Sequence, residues 1–320
     1  MTGSRAALGE SALKAVRMAF DEATKDSKYT YEMIVGDDQQ KCTLTSNIIT
    51  EMVSVNKINA AITFFSGAGL VARPLAEQHK FIHACVSWED SIVDGKYNFA
   101  QDGSREGVAA KILEQMKFWP DAKNIAVLAE TRPGIATLAA LLQEKFGSEG
   151  YNVSMNYIHR GEKELRVLIR KLKNQGASLF ILLLLPPELE IIVKQMHEAD
   201  IANSNITGIN FEISQNMELL EGIRFVSPST YTEEFAKKMG EEVTHPASIA
   251  YDLMHLFVRA YEANYQEGKI PSADEISKYI LSLGSYDSAS VKCTVTPQGF
   301  IVNPTAVMMV KDGKAVFVEE

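Results

Sequence analysis

Apolar residues recur along this chain with two periods that alternate from one segment to the next. Four long segments carry stripes with helical spacing, in which apolar residues recur three and four positions apart: Leu13–Ala23, Leu165–Leu172, Leu189–Met196 and Ile249–Ala260. Short β-rich runs predict strands at Tyr31–Val35, Ala60–Phe65, Phe81–Val86, Ile125–Ala129, Val153–Ile158, Leu179–Leu185, Ile206–Asn210 and Ile223–Val226. This alternation predicts an α/β fold of parallel sheets covered by helices on both faces.

The two ends of the chain depart from this alternation. Near the C-terminus, Ala306–Val310 and Ala315–Val318 flank an Asp-Gly pair, which predicts a β-hairpin. At the other end, Thr2 leads directly into a helix from about Leu8, although a doubly wound lobe usually opens with a central strand. We therefore expect this first strand to be missing upstream of Met1, through a truncated or misassigned start.

The stretch from Ala60 to Trp88 carries the clearest chemical signal. Its first β-rich run passes through Ser66-Gly67-Ala68-Gly69 into a predicted helix at Leu70–His79, and then into a second strand. Small residues permit a tight turn, so the free N–H groups of a helix start would lie beside a serine hydroxyl. Such a corner can hold a carboxylate or another polar group, and a ligand held in this way needs no catalytic residue.

Composition narrows the class of protein. The chain has 320 residues, 46% hydrophobic and 23% charged, which is ordinary for a globular protein and long enough for two domains. A net charge of −9 without a Lys/Arg cluster argues against nucleic acid as a partner. The longest apolar run, Phe180–Leu185, is too short to span a membrane, and Met1–Leu8 lacks the apolar segment of a signal peptide. The three cysteines show no CxxC spacing, so they do not indicate a metal site.

Several motifs, taken in order, resemble those of the type I periplasmic solute-binding proteins of ABC importers, which include leucine/isoleucine/valine-binding and amide-binding proteins. Thr2–Gly9 is similar to the opening TG…A..G loop of that family. Ser66-Gly67 resembles its ligand-holding Ser-Gly pair, with Pro74 on the following helix. Ala250-Tyr251-Asp252 matches its YDA helix, and Val295–Pro304 resembles its G…F…G…NP segment. The resemblance covers nearly the whole chain.

The resemblance implies two doubly wound lobes joined by three crossovers. Lobe 1 would comprise residues 1–101 and 228–290, and lobe 2 residues 102–227 and 291–320. The crossovers would fall near Phe99–Gly103, Val226–Pro228 and Val291–Pro297. A solute would sit in a cleft between the lobes, at the carboxyl ends of strands, and the lobes would close on it by a hinge motion.

Ten residues are candidates for ligand binding: Arg5, Ser66, Gly67, Ala68, Ser87, Trp88, Arg132, Pro186, Asn210 and Glu212. Arg5 and Arg132 would each add a charge contact if they face the cleft. Ser66 would bond a carboxylate or amide with help from the N–H groups of Gly67 and Ala68. Glu212 would correspond to the family's acid that can meet an α-ammonium group. More ordinary roles stay open for each type of residue: a helix-capping serine, a buried tryptophan, a first-turn acid and a surface arginine.

This chain also departs from the family pattern at two places. Glu130–Gly134 stands where members often have a tyrosine, and Leu184–Pro187 replaces a tyrosine or glycine turn. The implied solute is therefore a small carboxylate- or amide-bearing molecule, an amino acid or an aromatic or aliphatic acid, and not necessarily a branched-chain amino acid. The implied partner is the membrane permease of an ABC transporter. The protein would be a periplasmic monomer, or lipid-anchored outside the cell, if a signal sequence lies upstream.

Two other functions stay open at this point. Gly67–Ala72 reads GxGxxA between a strand and a helix, and Glu89 lies 20 residues beyond Gly69, as in an NAD(P)-dependent oxidoreductase. Against an enzyme, the histidines are scattered singly, and neither a GxSxG elbow nor a Walker A loop occurs. A cytoplasmic ligand-sensing regulator on the same fold is the second alternative. We expect a binding protein that is not an enzyme and has no cofactor.

Overall fold

The computed structural model describes Thr2 and residues 6–228, 231–240, 243, 245–288 and 290–318. The chain forms two compact units. Unit 1 comprises Met1–Asp102 and Tyr231–Pro304, and unit 2 comprises Gly103–Thr230 and Thr305–Glu320. Among the described residues, no helix is both long and apolar enough to cross a membrane.

Helices and strands alternate along the described chain. The α-helices are α1 (Ala6–Thr24), α2 (Cys42–Glu51), α3 (Phe65–His79), α4 (Arg105–Glu114), α5 (Pro133–Ser148), α6 (Arg166–Asn174), α7 (Glu188–Glu198), α8 (Glu233–Met239), α9 (His245–Ala263) and α10 (Ala273–Ser282). The strands are β1 (Ala60–Phe64), β2 (Ile82–Val86), β3 (Asn98–Gly103), β4 (Asn124–Glu130), β5 (Asn152–Ile158), β6 (Leu179–Leu183), β7 (Ile206–Gly208), β8 (Arg224–Ser227), β9 (Ser285–Asp287), β10 (Lys292–Val295), β11 (Phe300–Asn303), β12 (Ala306–Lys311) and β13 (Lys314–Phe317). A π-helical segment, Met52–Asn56, continues α2, and 3-10 turns occur at Asp90–Ile92, Gln115–Phe118, Asn203–Asn205, Phe211–Ile213 and Met217–Leu220.

Unit 2 is built around a four-stranded parallel sheet with the order β5-β4-β6-β7. β4 lies inside this sheet, and all of its residues except Asn124 are buried, as a continuous apolar run predicts. β6 is buried along its whole length. Phe211 and Phe225 stack with ring centroids 5.3 Å apart in the core that these strands and α7 enclose.

The predicted C-terminal hairpin forms in unit 2, where β12 pairs with β8 on one side and with β13 on the other. Lys311 pairs with Lys314 across a two-residue turn. Asp312 and Gly313 take positive φ angles of 53° and 70°, which a type I′ turn requires. The carboxylate of Glu221 accepts hydrogen bonds from the N–H groups of Asp312 and Gly313, both at 3.0 Å.

Unit 1 contains a six-stranded sheet with the order β1-β2-β3-β11-β10-β9. β1, β2 and β3 are parallel, whereas β10 runs antiparallel to β9 and β11. Residues 291–304 therefore belong to unit 1, and the expectation that they lie in the second lobe is corrected by these strand pairings. The chain passes back to unit 2 between Pro304 and Thr305, not near Val291–Pro297.

β3 was not predicted as a strand, because its residues include buried polar side chains. Asn98 Oδ1 lies 2.8 Å from Nδ1 of His83 on β2, and Gln101 Nε2 donates to Asn303 Oδ1 on β11 at 2.9 Å. His83 also lies 2.8 Å from the hydroxyl of Thr63 on β1. These bonds satisfy polar groups that composition alone assigns to the surface.

Two local predictions are wrong in detail. Tyr31–Val35 forms no strand, because it pairs with no described strand. The next strand along the chain, β1, pairs only with β2. The helix predicted at Leu70–His79 begins at Phe65, so Ser66, Gly67 and Ala68 lie in its first turn instead of a loop before it.

Candidate functional site

The corner between β1 and α3 brings two predicted site residues into contact. β1 and β2 run parallel with Phe64 opposite Val86, so their carboxyl ends lie side by side. Ser66 Oγ therefore lies 2.9 Å from Ser87 Oγ. The Ser87 hydroxyl also accepts a hydrogen bond from the N–H of Glu89 at 3.1 Å. The result is a pair of hydroxyl groups at the start of α3.

The first turn of α3 has the features of a polar ligand site. Its N-cap, Phe64, supplies no side-chain hydrogen bond, so the first N–H groups have no capping acceptor. Phe65 adopts a left-handed φ of 67°, which is rare for a bulky side chain and is typical of ligand-binding corners. The Ala68 N–H donates to the Phe64 carbonyl in the first hydrogen bond of the helix. The amides of Ser66 and Gly67 therefore remain as donors for a ligand. Gly67 is exposed and Ser66 is half-buried.

Gly69 of the GxGxxA motif and the acid that follows it, Glu89, have structural partners. A Cβ on Gly69 would lie 2.5 Å from Ile92 Cδ1 and 2.6 Å from Cys85 Sγ, so close packing of α3 against β2 requires glycine there. Glu89 accepts hydrogen bonds from the N–H and the hydroxyl of Ser91. Two of the residues that suggested a dinucleotide site, Gly69 and Glu89, therefore serve local structure.

Trp88 and Cys85 are two buried residues on or just after β2, beside this corner in sequence. Trp88 follows Ser87 and is 7% exposed. Cys85 is fully buried on β2, and burial raises the pKa of its thiol to about 12. The thiol therefore stays neutral and acts as a small apolar group.

The second group of predicted site residues lies at one edge of the four-stranded sheet of unit 2. β4, β6 and β7 are parallel, so the residues that follow them share the carboxyl edge of the sheet. Arg132 follows β4, Pro186 follows β6 and Asn210 follows β7. Arg132 Nε lies 3.1 Å from Oε2 of Glu130, a carboxylate that is 1% exposed.

Asn210 and Glu212 place buried oxygen atoms at this edge. Asn210 takes a left-handed φ of 59° and is 5% exposed. Its Oδ1 atom is buried and has no hydrogen-bond partner among the described residues. Glu212 is also buried, and its Oε1 accepts a hydrogen bond from the Ser227 hydroxyl at 3.0 Å. A buried acceptor without a described donor, such as Asn210 Oδ1, is uncommon, and a bound group or a water molecule would satisfy it.

Glu188 is a residue that the sequence did not single out. It opens α7 directly after Pro186-Pro187, which are joined by a cis peptide bond, and it is 3% exposed. Its Oε1 accepts a hydrogen bond from the Gly161 N–H at 2.8 Å, while its buried Oε2 has no partner in the part of the chain that the structure describes. Acidic residues are common in the first turn of a helix, because the helix dipole favours negative charge there. Only its burial distinguishes Glu188 from such residues.

Arg5 lies outside the described residues. Within them, no group of three or more His, Cys, Asp and Glu side chains could hold a metal ion. A cavity of about 480 Å³ in unit 1 reaches Phe65 and Ala68, but Ser66, Ser87 and Trp88 do not line it. This cavity is therefore distinct from the hydroxyl corner.

The chain matches the family model of the periplasmic binding proteins over residues 1–315 and belongs to that family. No curated protein sequence matches it. A leucine-binding protein from Thermotoga maritima shares the fold with a TM-score of 0.86 and 19% identity, covering 100% of this chain and 95% of that one. A solute-binding protein from Rhodopseudomonas palustris in complex with 3,4-dihydroxybenzoic acid gives 0.81 and 19%, with 100% and 94% covered. A branched-chain amino acid binding protein from Streptococcus pneumoniae in complex with isoleucine gives 0.81 and 19%, with 98% and 94% covered.

The family match confirms the predicted resemblance and the predicted fold class. The chain is a solute-binding protein with the type I periplasmic binding fold. Members of this family bind solutes without transforming them, so the prediction that the chain is not an enzyme is also confirmed. The dinucleotide-dependent alternative is thereby excluded.

Proposed function

We propose that this chain is the extracytoplasmic receptor of an ABC importer, and that its solute is a small molecule with a carboxylate or amide group. The observation that carries the proposal is the uncapped first turn of α3 beside the Ser66–Ser87 hydroxyl pair. Solved relatives that bind leucine-type amino acids or a dihydroxybenzoic acid support the same solute class, because each of those solutes carries a carboxylate.

A carboxylate suits this corner for electrostatic reasons. The amides of Ser66 and Gly67 point outward from a helix start, where the helix dipole favours negative charge. Ser66 adds a hydroxyl donor while Ser87 accepts from Glu89. A hydrogen bond to a charged group contributes about 1.5–3 kcal/mol, so two or three such bonds are enough to select an anionic group.

The buried oxygens of unit 2 favour a solute that also carries N–H groups. Asn210 Oδ1 and Glu188 Oε2 are acceptors without a described donor, and Glu212 adds a third buried carboxylate or amide oxygen. An ammonium or amide N–H group would satisfy the Asn210 and Glu188 oxygens. Amino acids and amides are therefore better candidates than simple aromatic acids.

A thermal-shift screen followed by calorimetry tests this proposal. The panel contains leucine, isoleucine, primary amides and 3,4-dihydroxybenzoate, with sugars and polyamines as the contrasting classes. We expect a member of the first set to raise the melting temperature, since a ligand at 100 times its Kd stabilises by about 2.7 kcal/mol. A response only to sugars or polyamines would reject the proposed solute class.

Ser66→Ala should weaken binding of the responding solute without changing the melting temperature of the free protein. Ser282→Ala is the matched control, because Ser282 is an exposed serine at the end of α10 in the same unit. Equal affinities in both variants would contradict the placement of the carboxylate at this corner.

The partner, location and assembly state form the remaining part of the proposal. We infer delivery of the solute to a membrane permease, a periplasmic or extracellular lipid-anchored location, and a monomer that closes around its solute by a hinge motion. Cell fractionation tests the location and separates this function from the cytoplasmic sensor. Light scattering tests the assembly state, and small-angle X-ray scattering with and without solute tests the closure.

A further inference from the structure

Four polar side chains from three helices of unit 1 meet around one carboxylate group. Glu22 lies near the end of α1, Lys238 on α8, and Tyr251 and His255 one turn apart on α9. The Tyr251 hydroxyl donates a hydrogen bond to Oε2 of Glu22. Lys238 Nζ lies 3.3 Å from the same oxygen, and His255 Nε2 lies 3.5 Å from it. Glu22 is therefore the common partner of a phenol, an ammonium group and an imidazole.

The Oε2 atom of Glu22 already has two donors. A carboxylate oxygen offers two lone pairs, and the Tyr251 hydroxyl and the Lys238 ammonium group both donate to this one. His255 Nε2 is buried and makes no hydrogen bond within the described part of the chain. The His255 ring lies against Tyr251, with ring centroids 4.5 Å apart. A proton on His255 would therefore place a second cation beside Lys238, and the two cations would compete for one oxygen.

The short helix α8 is tied to the rest of unit 1 by this cluster and by an apolar contact. Phe235 and Met239 belong to a buried cluster that also contains Ala15 of α1 and Tyr251 of α9. On the polar side of α8, Lys238 Nζ also lies 3.3 Å from the Tyr251 hydroxyl. α8 begins two residues after Tyr231, where the chain enters unit 1. Loss of the Lys238 contacts would therefore loosen the segment that follows this entry point.

His255 is the member of the cluster that changes charge in mildly acidic solution. Burial lowers the pKa of His255; the Glu22 carboxylate opposes this effect and the Lys238 charge adds to it, so the pKa lies below the ordinary value of 6.5. Burial and the bond to Glu22 raise the pKa of Tyr251, which therefore stays protonated. Burial opposes ionisation of Glu22, but the Tyr251 bond and the Lys238 charge outweigh it and lower the pKa of that carboxyl group.

Other charged side chains on the three helices have contacts of their own: Lys14 with the Met239 carbonyl, Glu234 with Lys238, Asp252 with Ser290 and Arg259 with Tyr279. The charges that act on the His255 ring are those of Glu22 and Lys238. These two charges have opposite signs, so the response of His255 to acid depends on which of them is present.

We propose that Glu22, Lys238, Tyr251 and His255 form an acid-sensitive latch, in which protonation of His255 displaces Lys238 from Glu22 and loosens α8. The folded chain binds this proton less readily than the unfolded chain does. The stability that the latch contributes is therefore full above pH 6.5 and falls as the pH drops below that value.

Hydrogen exchange in a peptide covering residues 232–240 tests the latch between about pH 7.5 and pH 5. After correction for the intrinsic exchange rate, we expect the protection of α8 to fall by roughly threefold or more at the lower pH. His255→Gln, which cannot gain a charge, should lose less protection over the same range. Equal losses in the two proteins would overturn the proposal.

A peptide covering β2 is the internal reference in this experiment. It contains His83, whose burial lowers its pKa to about 4, so it reports acid unfolding of unit 1 as a whole. We expect α8 to lose protection before β2 does. Equal losses in both segments would also overturn the proposal, because unit 1 would then open as a single body.

NMR titration of the His255 ring gives a second test that does not depend on the His255→Gln variant. Lys238→Met should raise the pKa of His255, because the attraction of Glu22 then has no competing cation. Acid should then no longer loosen α8 in this variant. Lys237→Met is the matched control, because Lys237 is exposed and pairs with Glu233 of the same helix at 3.6 Å. The same His255 pKa in both lysine variants would overturn the proposal.

Discussion

The first strands of the two units, β4 in unit 2 and β1 in unit 1, have similar sequences and unlike surroundings. β4 has a parallel neighbour on each side and six buried residues, whereas β1 pairs only with β2 and has a single buried residue, Thr63. Both strands are rich in small and branched apolar residues, which suit the interior of a parallel sheet. The comparison shows that a strand with an interior type of sequence can lie at the edge of the described sheet, where few of its side chains are buried.

The largest effect that separates the two environments concerns a matched pair of isoleucines. Ile181→Ala in β6 should lower the free energy of unfolding of unit 2 by about 3–4 kcal/mol, because this side chain is fully buried. Ile62→Ala in β1 should lower that of unit 1 by only about 1 kcal/mol, because Ile62 already borders a cavity.

Urea unfolding checks these values, and each unit contains one tryptophan as a reporter. Trp88 fluorescence in a Trp119→Phe background follows unit 1, and Trp119 fluorescence in a Trp88→Phe background follows unit 2. Similar losses for the two isoleucines would mean that β1 is packed as tightly as β6, which would break the comparison.

A second effect should distinguish the units by pH. His83 is fully buried between Thr63 and Asn98, and burial lowers its pKa to about 4 from an ordinary value of 6.5. The unfolded chain therefore binds a proton between these pH values while the folded chain does not. Stability is full above pH 6.5 and falls as the pH drops toward 4, by up to about 3 kcal/mol.

The measurement is urea unfolding of unit 1 at several pH values between 7.5 and 4.5. His83→Gln should be less stable at neutral pH, yet its stability should change less over this range. Parallel pH profiles for the two proteins would show that another group controls the acid sensitivity of unit 1.

A third prediction compares two helical glycines. Gly69→Ala in α3 should destabilise unit 1 by about 1–3 kcal/mol, because the new methyl group meets Ile92 and Cys85. Gly147→Ala in α5 should be neutral or stabilising by up to about 1 kcal/mol, because no atom lies within 4 Å of its Cβ position. Thermal unfolding of both variants checks this, and a neutral Gly69→Ala would mean that α3 is free to shift on its sheet.

The smallest effects concern the solute and test the proposed roles of Ser66 and Glu212 in binding it. If leucine or a similar amino acid binds, Ser66→Ala and Glu212→Gln should each weaken it about tenfold, or about 1.4 kcal/mol. The effect of Ser66→Ala should disappear for the corresponding amine, which lacks the carboxylate. The effect of Glu212→Gln should disappear for the corresponding acid, which lacks the ammonium group. Calorimetry with the three compounds decides the assignment, and an effect that persists for the truncated solute contradicts it.

The sequence allowed much of the fold to be predicted, because hydrophobic periodicity and turn chemistry act locally. β4 and the Asp312-Gly313 hairpin follow from such local signals. β3 did not, because Asn98 and Gln101 become suitable for a buried strand only through partners distant in sequence. Tyr31–Val35 failed for the opposite reason, since its residues favour a strand but no described strand pairs with them.

The candidate site was predictable to a similar extent. The meeting of Ser66 and Ser87 follows from two parallel strands that end side by side, and the alternation of elements already indicates such strands. Glu188 was missed because its burial depends on the Gly161 turn, 27 positions earlier in the chain. Pairwise geometry of this kind has no local sequence signal.

The hairpin tip of unit 2 has a consequence for the chemical ageing of the protein. Asp-Gly pairs are prone to isoaspartate formation, in which the glycine nitrogen attacks the aspartate side chain to close a succinimide ring. In this chain the N–H groups of Gly313 and Asp312 each donate a hydrogen bond to the Glu221 carboxylate. The hydrogen bond to Glu221 thus restrains the Gly313 nitrogen, which is the attacking atom. After long storage, this Asp-Gly pair should contain less isoaspartate than an unrestrained pair.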